Sequence, residues 1–345
     1  MRAAMIAPLL LCACFSVGSA QTTDNALDPE AAQLLEAFEQ SASSTPNAVA
    51  DDTAWVEMSR EGYRQTVPLA GVPAEVSVIR DLLIEVSDRQ IGARLYLPPN
   101  AEDKPLIVYF HGGGFTAGGL DTHDPTLRDL TAFSEAAVLA VSYRLAPEHP
   151  HPAALDDALA AYLWANEHAA ELGARPTSVI LMGDSAGGNI AAATALRIRD
   201  DGYPEPDAQI LIYPNTDLRL DRAYASIDAF DGYVINRRDM DRNIRLYAAG
   251  GADLSSPYLS PLASSDLSGL PRTFIITAGA DPLRDEGEAY AARLRDDGVH
   301  VTLTRYPGMV HGFFQMKTAL SAADELMNEL AMAVALVAAD QRETK

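Results

Sequence analysis

The fold of this chain is decided by the stretch Val179-Ile180-Leu181-Met182-Gly183-Asp184-Ser185-Ala186-Gly187-Gly188. Its four apolar residues predict a buried strand, and the small residues at 189–195 predict a helix after it. The turn between them has the form G-x-S-x-G and is so tight that bulky neighbours would collide, which explains the glycines. It holds the Ser185 Oγ at the carboxyl edge of the sheet, in front of the helix N-terminus. We therefore predict that Ser185 is a nucleophile.

Apolar strands and helices alternate on both sides of this turn. The predicted strands cover residues 106–110, 138–143, 178–182, 209–213, 273–278 and 300–306. The predicted helices cover residues 126–136, 153–172, 187–199 and 286–297. Such alternation is typical of an α/β fold with a mostly parallel sheet flanked by helices. The alternating apolar residues at 75–97 add two antiparallel edge strands.

Two segments outside this pattern can cover the sheet. About sixty residues follow the strand at 209–213 before the next strand begins, far more than a compact connection needs, and they include a predicted helix at 236–249. Another predicted helix, at 29–40, precedes the sheet, and the two helices together can form a lid. We expect an N-terminal cap segment at 21–74, a catalytic domain at 75–345 and, within it, a cap insertion around 215–250.

A glycine tract follows the predicted strand at 106–110 as His111-Gly112-Gly113-Gly114-Phe115. Three glycines there let the backbone approach a ligand and turn its N–H groups towards it, although a merely flexible loop is the alternative. A tetrahedral intermediate needs such donors about 3 Å from its oxyanion. We predict that the N–H groups of Gly113, Gly114 and Ala186 supply them. His111 is expected to brace this loop through hydrogen bonds rather than to act as a base.

The predicted base is His311. A serine hydroxyl becomes a good nucleophile only when a histidine takes its proton and a carboxylate orients that histidine. With a G-x-S-x-G turn the chain order is serine, acid, histidine, which leaves His300 and His311. His300 begins the last predicted strand, at the edge opposite to the nucleophile, whereas His311 follows its end. The histidines that precede the nucleophile are expected to lie on the surface or in loops: His123, His149, His151 and His168.

The predicted acid is Asp281. It follows the apolar strand at 273–278 and so stands at the same edge of the sheet as Ser185 and His311. Asp285 is the alternative, but it comes one turn later, where acidic residues are typical of a helix N-terminus.

Five motifs in this order resemble those of a known family. They are His111-Gly112-Gly113-Gly114, Tyr143-Arg144-Leu145-Ala146-Pro147-Glu148-His149-Pro150, Gly183-Asp184-Ser185-Ala186-Gly187-Gly188, Asp281-Pro282-Leu283-Arg284-Asp285-Glu286-Gly287 and His311-Gly312-Phe313. On these motifs the chain resembles the bacterial hormone-sensitive lipase-like esterases, family IV of the α/β-hydrolase superfamily, over residues 75–340.

The resemblance implies an α/β-hydrolase fold with a helical cap. It implies a carboxylesterase that cleaves short- to medium-chain acyl esters through an acyl-enzyme, without a metal or an organic cofactor. The site residues that it implies are the triad Ser185, Asp281 and His311 and the oxyanion hole Gly113, Gly114 and Ala186.

The net charge of the chain limits the classes of molecule that it can bind. The chain has 345 residues and a formal net charge of −22, which repels polyphosphates and anionic membrane surfaces. We therefore expect a small-molecule ester as partner, with no nucleic acid and no stable membrane insertion. No metal-binding spacing such as H-E-x-x-H occurs in the sequence. The last strand and the terminal helix can pair two subunits, so a homodimer is a further expectation.

The first twenty residues have the features of an export signal. Arg2 supplies a positive charge, residues 4–17 are mostly apolar, and Gly18-Ser19-Ala20 places small residues before a cleavage site. We expect residues 1–20 to be a signal peptide and the protein to be periplasmic or secreted. Leu11-Cys12-Ala13-Cys14 loosely resembles a bacterial lipobox, so the alternative is a lipid anchor at Cys14.

Three other functions stay open on this fold. An amidase or peptidase is the nearest alternative, although the sequence contains no gating domain. A catalytically silent binding protein would lack a member of the triad, whereas all three are present here. A lipase for long triglycerides would need an apolar interfacial helix that the sequence does not contain.

Overall fold

The computed structural model describes residues 26–42, 51–102, 104–172 and 178–343. The predictions for residues 1–20, including cleavage after Ala20 and a lipid anchor at Cys14, lie outside these residues. Within the described ranges, no helix is long and apolar enough to cross a membrane.

The strands of the described residues form a single sheet. They are Val78–Val86 (β1), Arg89–Leu97 (β2), Leu106–Phe110 (β3), Ala137–Ser142 (β4), Val179–Asp184 (β5), Ala208–Ile212 (β6), Arg272–Ala280 (β7) and Val301–Val310 (β8). Their order across the sheet is β1-β2-β4-β3-β5-β6-β7-β8. The pairs β1–β2 and β2–β4 are antiparallel, and the other neighbouring pairs are parallel. The predicted fold, a mostly parallel sheet with an antiparallel edge, is confirmed.

The helices begin and end close to the predicted residues, with exceptions that have physical causes. They are Pro29–Ala42 (α1), Asp52–Thr66 (α2), Leu120–Ser134 (α3), Ala153–Glu167 (α4), Ala186–Asp201 (α5), Ala225–Ala229 (α6), Arg237–Tyr247 (α7), Arg284–Asp296 (α8) and Ala322–Glu343 (α9). The sequence places the start of α3 after Pro125, but the helix begins at Leu120. The proline removes one donor, and the carbonyl left unpaired belongs to the exposed Asp121 in the first turn, where water can donate to it.

The predicted end of α4 at residue 172 is also wrong. The helix ends at Glu167 and is followed by a turn in which the Glu171 N–H donates to the His168 carbonyl, at 2.9 Å. Helix α2 was not predicted from the sequence.

Two apolar layers bury both faces of the sheet. One layer joins the sheet to α4, α5 and α8, with Ile190, Leu196 and Leu294 fully buried. The other joins it to α3, α9 and α1, with Leu130 and Leu330 fully buried. Because every residue of β3 is buried and β5 lies beside it, the central strands have no freedom to shift.

The helices that cover the carboxyl edge of the sheet are α2 and α7. The sequence suggests that the helix at 29–40 contributes to the lid, but the structure places α1 elsewhere. Ala31 and Leu34 of α1 pack in the layer of α9, and the Asp28 N–H donates to the Gly308 carbonyl of β8 at 3.1 Å. Both α6 and α7 lie in the long connection between β6 and β7.

Candidate active site

Ser185 occupies a strained turn between β5 and α5. Its φ of 54° and ψ of −120° lie where few residues other than glycine are found, a conformation that costs about 1–3 kcal/mol. The Ser185 N–H donates to the Ile212 carbonyl at 2.9 Å, which holds the turn in place. A Cβ at Gly187 would lie 2.0 Å from the Phe110 carbonyl oxygen, so only glycine allows α5 to start this close to β3.

The structure brings Ser185, His311 and Asp281 into one hydrogen-bonded line. The Ser185 Oγ lies 2.8 Å from His311 Nε2, and His311 Nδ1 lies 2.8 Å from Asp281 Oδ2. A carboxylate can only accept, so Nδ1 carries the ring proton and Nε2 is left to accept from the serine hydroxyl. Asp281 is fully buried, and its second oxygen accepts from the Leu283 N–H at 2.8 Å. This arrangement can take the serine proton at Nε2.

The residues that the sequence analysis set aside lie outside this line. Asp285 accepts from the Ser226 N–H at 2.9 Å and pairs with Arg284. His300 is exposed and precedes β8, at the amino end of the strand. The chain therefore presents Asp281 rather than Asp285 to His311.

The glycine tract after β3 leaves its N–H groups free. Gly113 and Gly114 have φ values of 122° and 61°. The Gly113 carbonyl accepts from the Thr116 and Ala117 N–H groups, at 3.2 and 2.9 Å, and closes the loop on itself. In the described part of the chain, the N–H groups of Gly113, Gly114 and Ala186 have no protein acceptor, and all three residues line the cavity beside Ser185. They are available to a bound oxyanion.

A buried carboxylate supports this loop from below. Asp184 accepts from the Tyr109 hydroxyl at 2.6 Å and from the Gly112 N–H at 2.8 Å, and His123 Nε2 lies 3.2 Å away. Burial acts to raise the pKa of Asp184, but the charge of His123 and these hydrogen bonds outweigh it and lower the pKa below its ordinary value. Asp184, the residue before Ser185, thus fixes the Gly112 N–H of the glycine loop.

The expectation that His123 lies on the surface or in a loop is wrong. His123 is fully buried in α3, and its Nδ1 lies 3.0 Å from the Thr122 hydroxyl, which donates its own proton to the Gly119 carbonyl. Its Nε2 faces the Asp184 carboxylate, which can only accept, so Nε2 carries a ring proton and donates to Asp184. The spacing of His123, Leu127 and Leu130 places them on one face of a helix, which indicates that His123 is buried with the two leucines. The prediction missed this because it started α3 only after Pro125. Of the other early histidines, His149 is exposed, and His151 and His168 are partly buried.

His111 braces the loop and stays neutral. Its Nδ1 lies 2.8 Å from the Gly112 carbonyl, and its ring stacks on Tyr143 with the centroids 4.3 Å apart. Burial, and then the nearby charge of His123, lower the pKa of His111 to about 3.

A cavity of about 360 Å³ opens above the triad. Its floor is formed by Ser185, His311 and the glycine loop. Its roof comes from α2 and α7, whose lining side chains include Trp55, Met58, Tyr63, Met240, Asn243 and Ile244. The size and the largely apolar lining fit a small organic molecule.

Two arginines hold α2 in the roof. Arg60 of α2 pairs with both carboxylate oxygens of Glu148, at 2.8 and 2.7 Å, and its Nε donates to the Thr116 carbonyl at 2.8 Å. Arg242 of α7 donates to Asp52 at 2.7 Å and lies over the Trp55 ring, 4.9 Å from its centroid. Arg60 thus joins α2 to the glycine loop, and Arg242 joins α7 to α2.

Sequence reasoning missed the α2 contribution to the site. One signal was present, because Asp51 caps the helix by accepting from the Ala54 N–H at 2.9 Å. The charged side chains of Glu57, Glu61 and Arg64 and the glycine at 62 weakened the apolar periodicity that identifies a helix. Among the described residues, no group of histidine, cysteine and acidic side chains is arranged to hold a metal ion.

Comparisons with known proteins agree with this geometry. A family model described as alpha/beta hydrolase fold matches residues 107–315. The carboxylesterase NlhH of Mycobacterium tuberculosis is 45% identical over 242 residues, 68% of this chain and 75% of that protein. An ethyl acetate hydrolase of Pseudomonas putida is 34% identical over 311 residues, 87% of this chain and 95% of that protein.

Solved structures give the same result. The ester hydrolase EH1AB1 from the metagenome of Lake Arreo has a TM-score of 0.84 at 37% identity, covering 91% of this chain and 99% of that one. An esterase of the archaeon Pyrobaculum calidifontis has a TM-score of 0.80 at 36% identity, covering 90% of this chain and 98% of that one. The chain therefore belongs to the hormone-sensitive lipase-like esterases, family IV of the α/β-hydrolase superfamily, and is a serine carboxylester hydrolase.

Proposed function

We propose that Ser185, His311 and Asp281 are the catalytic triad, and that the enzyme hydrolyses short- to medium-chain acyl esters through an acyl-enzyme on Ser185. The observation that carries this proposal is the pair of 2.8 Å hydrogen bonds that links the three side chains at the floor of the cavity.

In the first half of the reaction the Ser185 Oγ attacks the ester carbonyl carbon while His311 Nε2 takes the hydroxyl proton. Asp281 holds the ring in the required tautomer and stabilises the positive charge that develops on it. The carbonyl oxygen becomes an oxyanion, to which the N–H groups of Gly113, Gly114 and Ala186 donate. His311 then gives its proton to the leaving alcohol oxygen, the C–O bond breaks, and the acyl group stays on Ser185.

In the second half a water replaces the alcohol. His311 takes a proton from the water as its oxygen attacks the acyl carbon, and then returns that proton to the Ser185 Oγ as the acid leaves. The products are a carboxylic acid and an alcohol, and no other reactant is consumed.

The cavity supports small esters as substrates. Its volume of about 360 Å³ is at the low end of ligand pockets, and its roof of Trp55, Met58, Met240 and Ile244 suits an aliphatic or aromatic group. The name of the Pseudomonas putida relative, an ethyl acetate hydrolase, points to the same class. A series of 4-nitrophenyl esters of increasing acyl length tests this point, with kcat/KM expected to be highest at short to medium lengths and highest activity on long chains contradicting it.

The triad is tested with 4-nitrophenyl butyrate and an organophosphate. We expect Ser185→Ala to lower kcat by about 10⁴-fold or more and to abolish covalent labelling, while wild type is labelled at Ser185. Full activity in the variant would contradict the proposal, and a folded wild type without labelling would favour a silent binding protein. Faster cleavage of butyryl 4-nitroanilide than of the ester would favour an amidase.

We infer that two copies of the chain associate through β8 and α9. β8 is an edge strand of the sheet, and on α9 the side chains of Met332 and Leu336 are 66% and 46% exposed. A strand at the edge of a sheet and exposed apolar side chains each favour pairing with a second copy. Light scattering should give a dimer mass for wild type and a monomer mass for Met332→Glu, and a monomeric wild type would contradict the inference.

Export is proposed from the first twenty residues. N-terminal sequencing of protein from the periplasm of a bacterial host should give a chain that begins at Gln21. A lipid-modified Cys14 in the membrane fraction, absent in Cys14→Ser, would instead establish the anchor.

A further inference from the structure

Asn243 places a polar side chain in the mainly apolar roof of the cavity. It lies on α7 between Met240 and Ile244, and all three residues line the cavity. Its carboxamide rests against the glycine loop, so closely that a Cβ on Gly114 would lie 2.4 Å from Asn243 Nδ2. The amide therefore stands next to one of the N–H donors proposed for the oxyanion.

The orientation of this amide is fixed by Thr116. The Thr116 hydroxyl donates to Asn243 Oδ1 at 2.7 Å. Thr116 is fully buried and its hydroxyl has no other acceptor in the described chain, so the amide oxygen, not the amide nitrogen, must face it. The NH₂ group of Asn243 then remains without a protein acceptor among the described residues, at the wall of the cavity.

Packing fixes the position of α7 against the glycine loop, just as Thr116 fixes the orientation of the amide. Tyr247, one turn after Asn243, is buried and stacks on Phe115 of the glycine loop, with centroids 4.1 Å apart and planes 4° apart. The Tyr247 carbonyl also accepts from the His151 N–H at 2.8 Å. Because helix and loop are packed together, Asn243 is held in place before a substrate binds, which limits the entropy lost on binding.

We propose that the Asn243 NH₂ group is a specificity-determining donor that selects esters with an acceptor oxygen near the scissile carbonyl, such as alkoxy, hydroxy or keto esters. In the empty cavity this NH₂ donates to water. A purely aliphatic ester displaces that water without replacing the hydrogen bond, whereas an ester with an oxygen at that place replaces it. The inference rests on the esterase activity and on the site proposed above.

Two pairs of matched esters test it. On the acyl side, 4-nitrophenyl methoxyacetate and 4-nitrophenyl butyrate differ only by an oxygen in place of a methylene. On the alcohol side, 2-methoxyethyl acetate and butyl acetate differ in the same way. For each pair the measured quantity is the ratio of kcat/KM for the oxygen-containing ester to that for the aliphatic ester, so intrinsic reactivity cancels between variants.

The main variant is Asn243→Leu, which has a similar size and no donor. We expect the ratio to fall about five- to tenfold in one of the two pairs, as for the loss of one neutral hydrogen bond, and that pair identifies the side of the ester that Asn243 contacts. The matched control is Met240→Leu on the same helix, which should change both members of each pair by the same factor. Unchanged ratios in both pairs for Asn243→Leu would overturn the proposal.

A second variant protects the test against misfolding. Thr116→Val removes the hydroxyl that orients the amide, and we expect a smaller fall in the same ratio. If Asn243→Leu is inactive on all four esters, the Thr116→Val ratios decide, and no change in them refutes the proposal. A wild type that hydrolyses none of the esters and is not labelled at Ser185 would refute the proposed triad instead, so the two failures are distinguishable.

Discussion

The floor and the roof of the active site are held by different kinds of interaction. Under the floor, Asp184 is 2% exposed and fixes the Gly112 N–H, while the Ser185 turn has no room for a Cβ at Gly187. In the roof, Arg60 pairs with Glu148, whose side chain is 52% exposed. Buried hydrogen bonds tolerate little change, whereas exposed ion pairs contribute modestly and can be replaced. The reacting atoms are thus fixed, whereas the attachment of α2 to the floor through Arg60 can vary more freely.

After the loss of Ser185 itself, the largest effect should follow from a change in the glycine loop of the floor. Gly113→Ala places a Cβ 2.2 Å from the Ala117 carbonyl oxygen at a φ of 122°, so the loop must move and the N–H groups must turn away from the oxyanion position. We expect kcat for 4-nitrophenyl butyrate to fall about 100- to 1,000-fold, as when an oxyanion donor is lost.

Gly202→Ala is the matched control for Gly113→Ala. Gly202 also has a positive φ, 71°, but nothing lies within 4 Å of the position of its Cβ. This variant should lose about 1 kcal/mol of stability and keep kcat within twofold. Similar losses of kcat in both variants would mean that backbone strain in general, rather than the oxyanion loop, explains the effect.

A smaller effect concerns how the stability of the floor depends on pH. The pKa of His111 is about 3 in the folded protein and 6.5 ordinarily, so between these values the unfolded chain binds a proton that the folded chain does not. Keeping His111 neutral therefore costs no stability above pH 6.5. As the pH falls from 6.5 towards 3, the free energy of unfolding decreases by up to about 1.4 kcal/mol per pH unit. We expect the midpoint of urea unfolding to fall less steeply between pH 7 and 4.5 in His111→Asn, which keeps a donor for the Gly112 carbonyl, than in wild type.

The control for the pH experiment is His149→Asn, a change at an exposed histidine. It should keep the wild-type slope. A His111→Asn slope equal to that of wild type would show that His111 is free to take up a proton in the folded protein.

The smallest effect is expected in the roof. Arg60→Ala removes the contacts of α2 with Glu148 and with the Thr116 carbonyl, so the helix should cover the cavity less firmly. We expect kcat/KM to fall about three- to tenfold, mainly through KM, and the difference from wild type to shrink in 1 M salt, because partly exposed ion pairs are screened.

Arg64→Ala provides the comparison on the same helix, since Arg64 pairs only locally with Glu61 in the described structure. Its kcat/KM should remain within twofold of wild type. If Arg60→Ala lowered activity as much as Gly113→Ala, the roof would be as sensitive to substitution as the floor, which would contradict the comparison.

The same distinction explains how much could be predicted from the sequence. The turn at Ser185 and the glycine loop require particular residues, so Gly113, Gly114, Ser185 and Ala186 could be identified without coordinates, and the order of elements then pointed to Asp281 and His311. The lid requires only that some side chains on α2 and α7 meet the floor. Its contacts join residues far apart in the chain, which a local pattern does not contain.

The roles of His123 and Asn243 could not be predicted from the sequence. His123 is buried beside Asp184, which lies on another element and accepts a hydrogen bond from its ring. Asn243 lies among apolar residues of α7, and its role depends on Thr116 and Gly114 of the glycine loop. Neither partner is near in sequence, so each residue by itself indicates only an ordinary helix position.

The contact between Arg242 and Asp52 joins positions 190 residues apart. Closing so long a loop loses chain entropy, and the buried Trp55 and Val56 of α2 compensate for it only once the surface that they pack against has formed, so α2 should dock after the central strands have paired. Refolding chains would then pass through a state with a complete sheet and an uncovered floor. In stopped-flow refolding, the hydrogen-bonded sheet should therefore form before esterase activity returns, and the delay should lengthen when Arg242 is replaced by alanine.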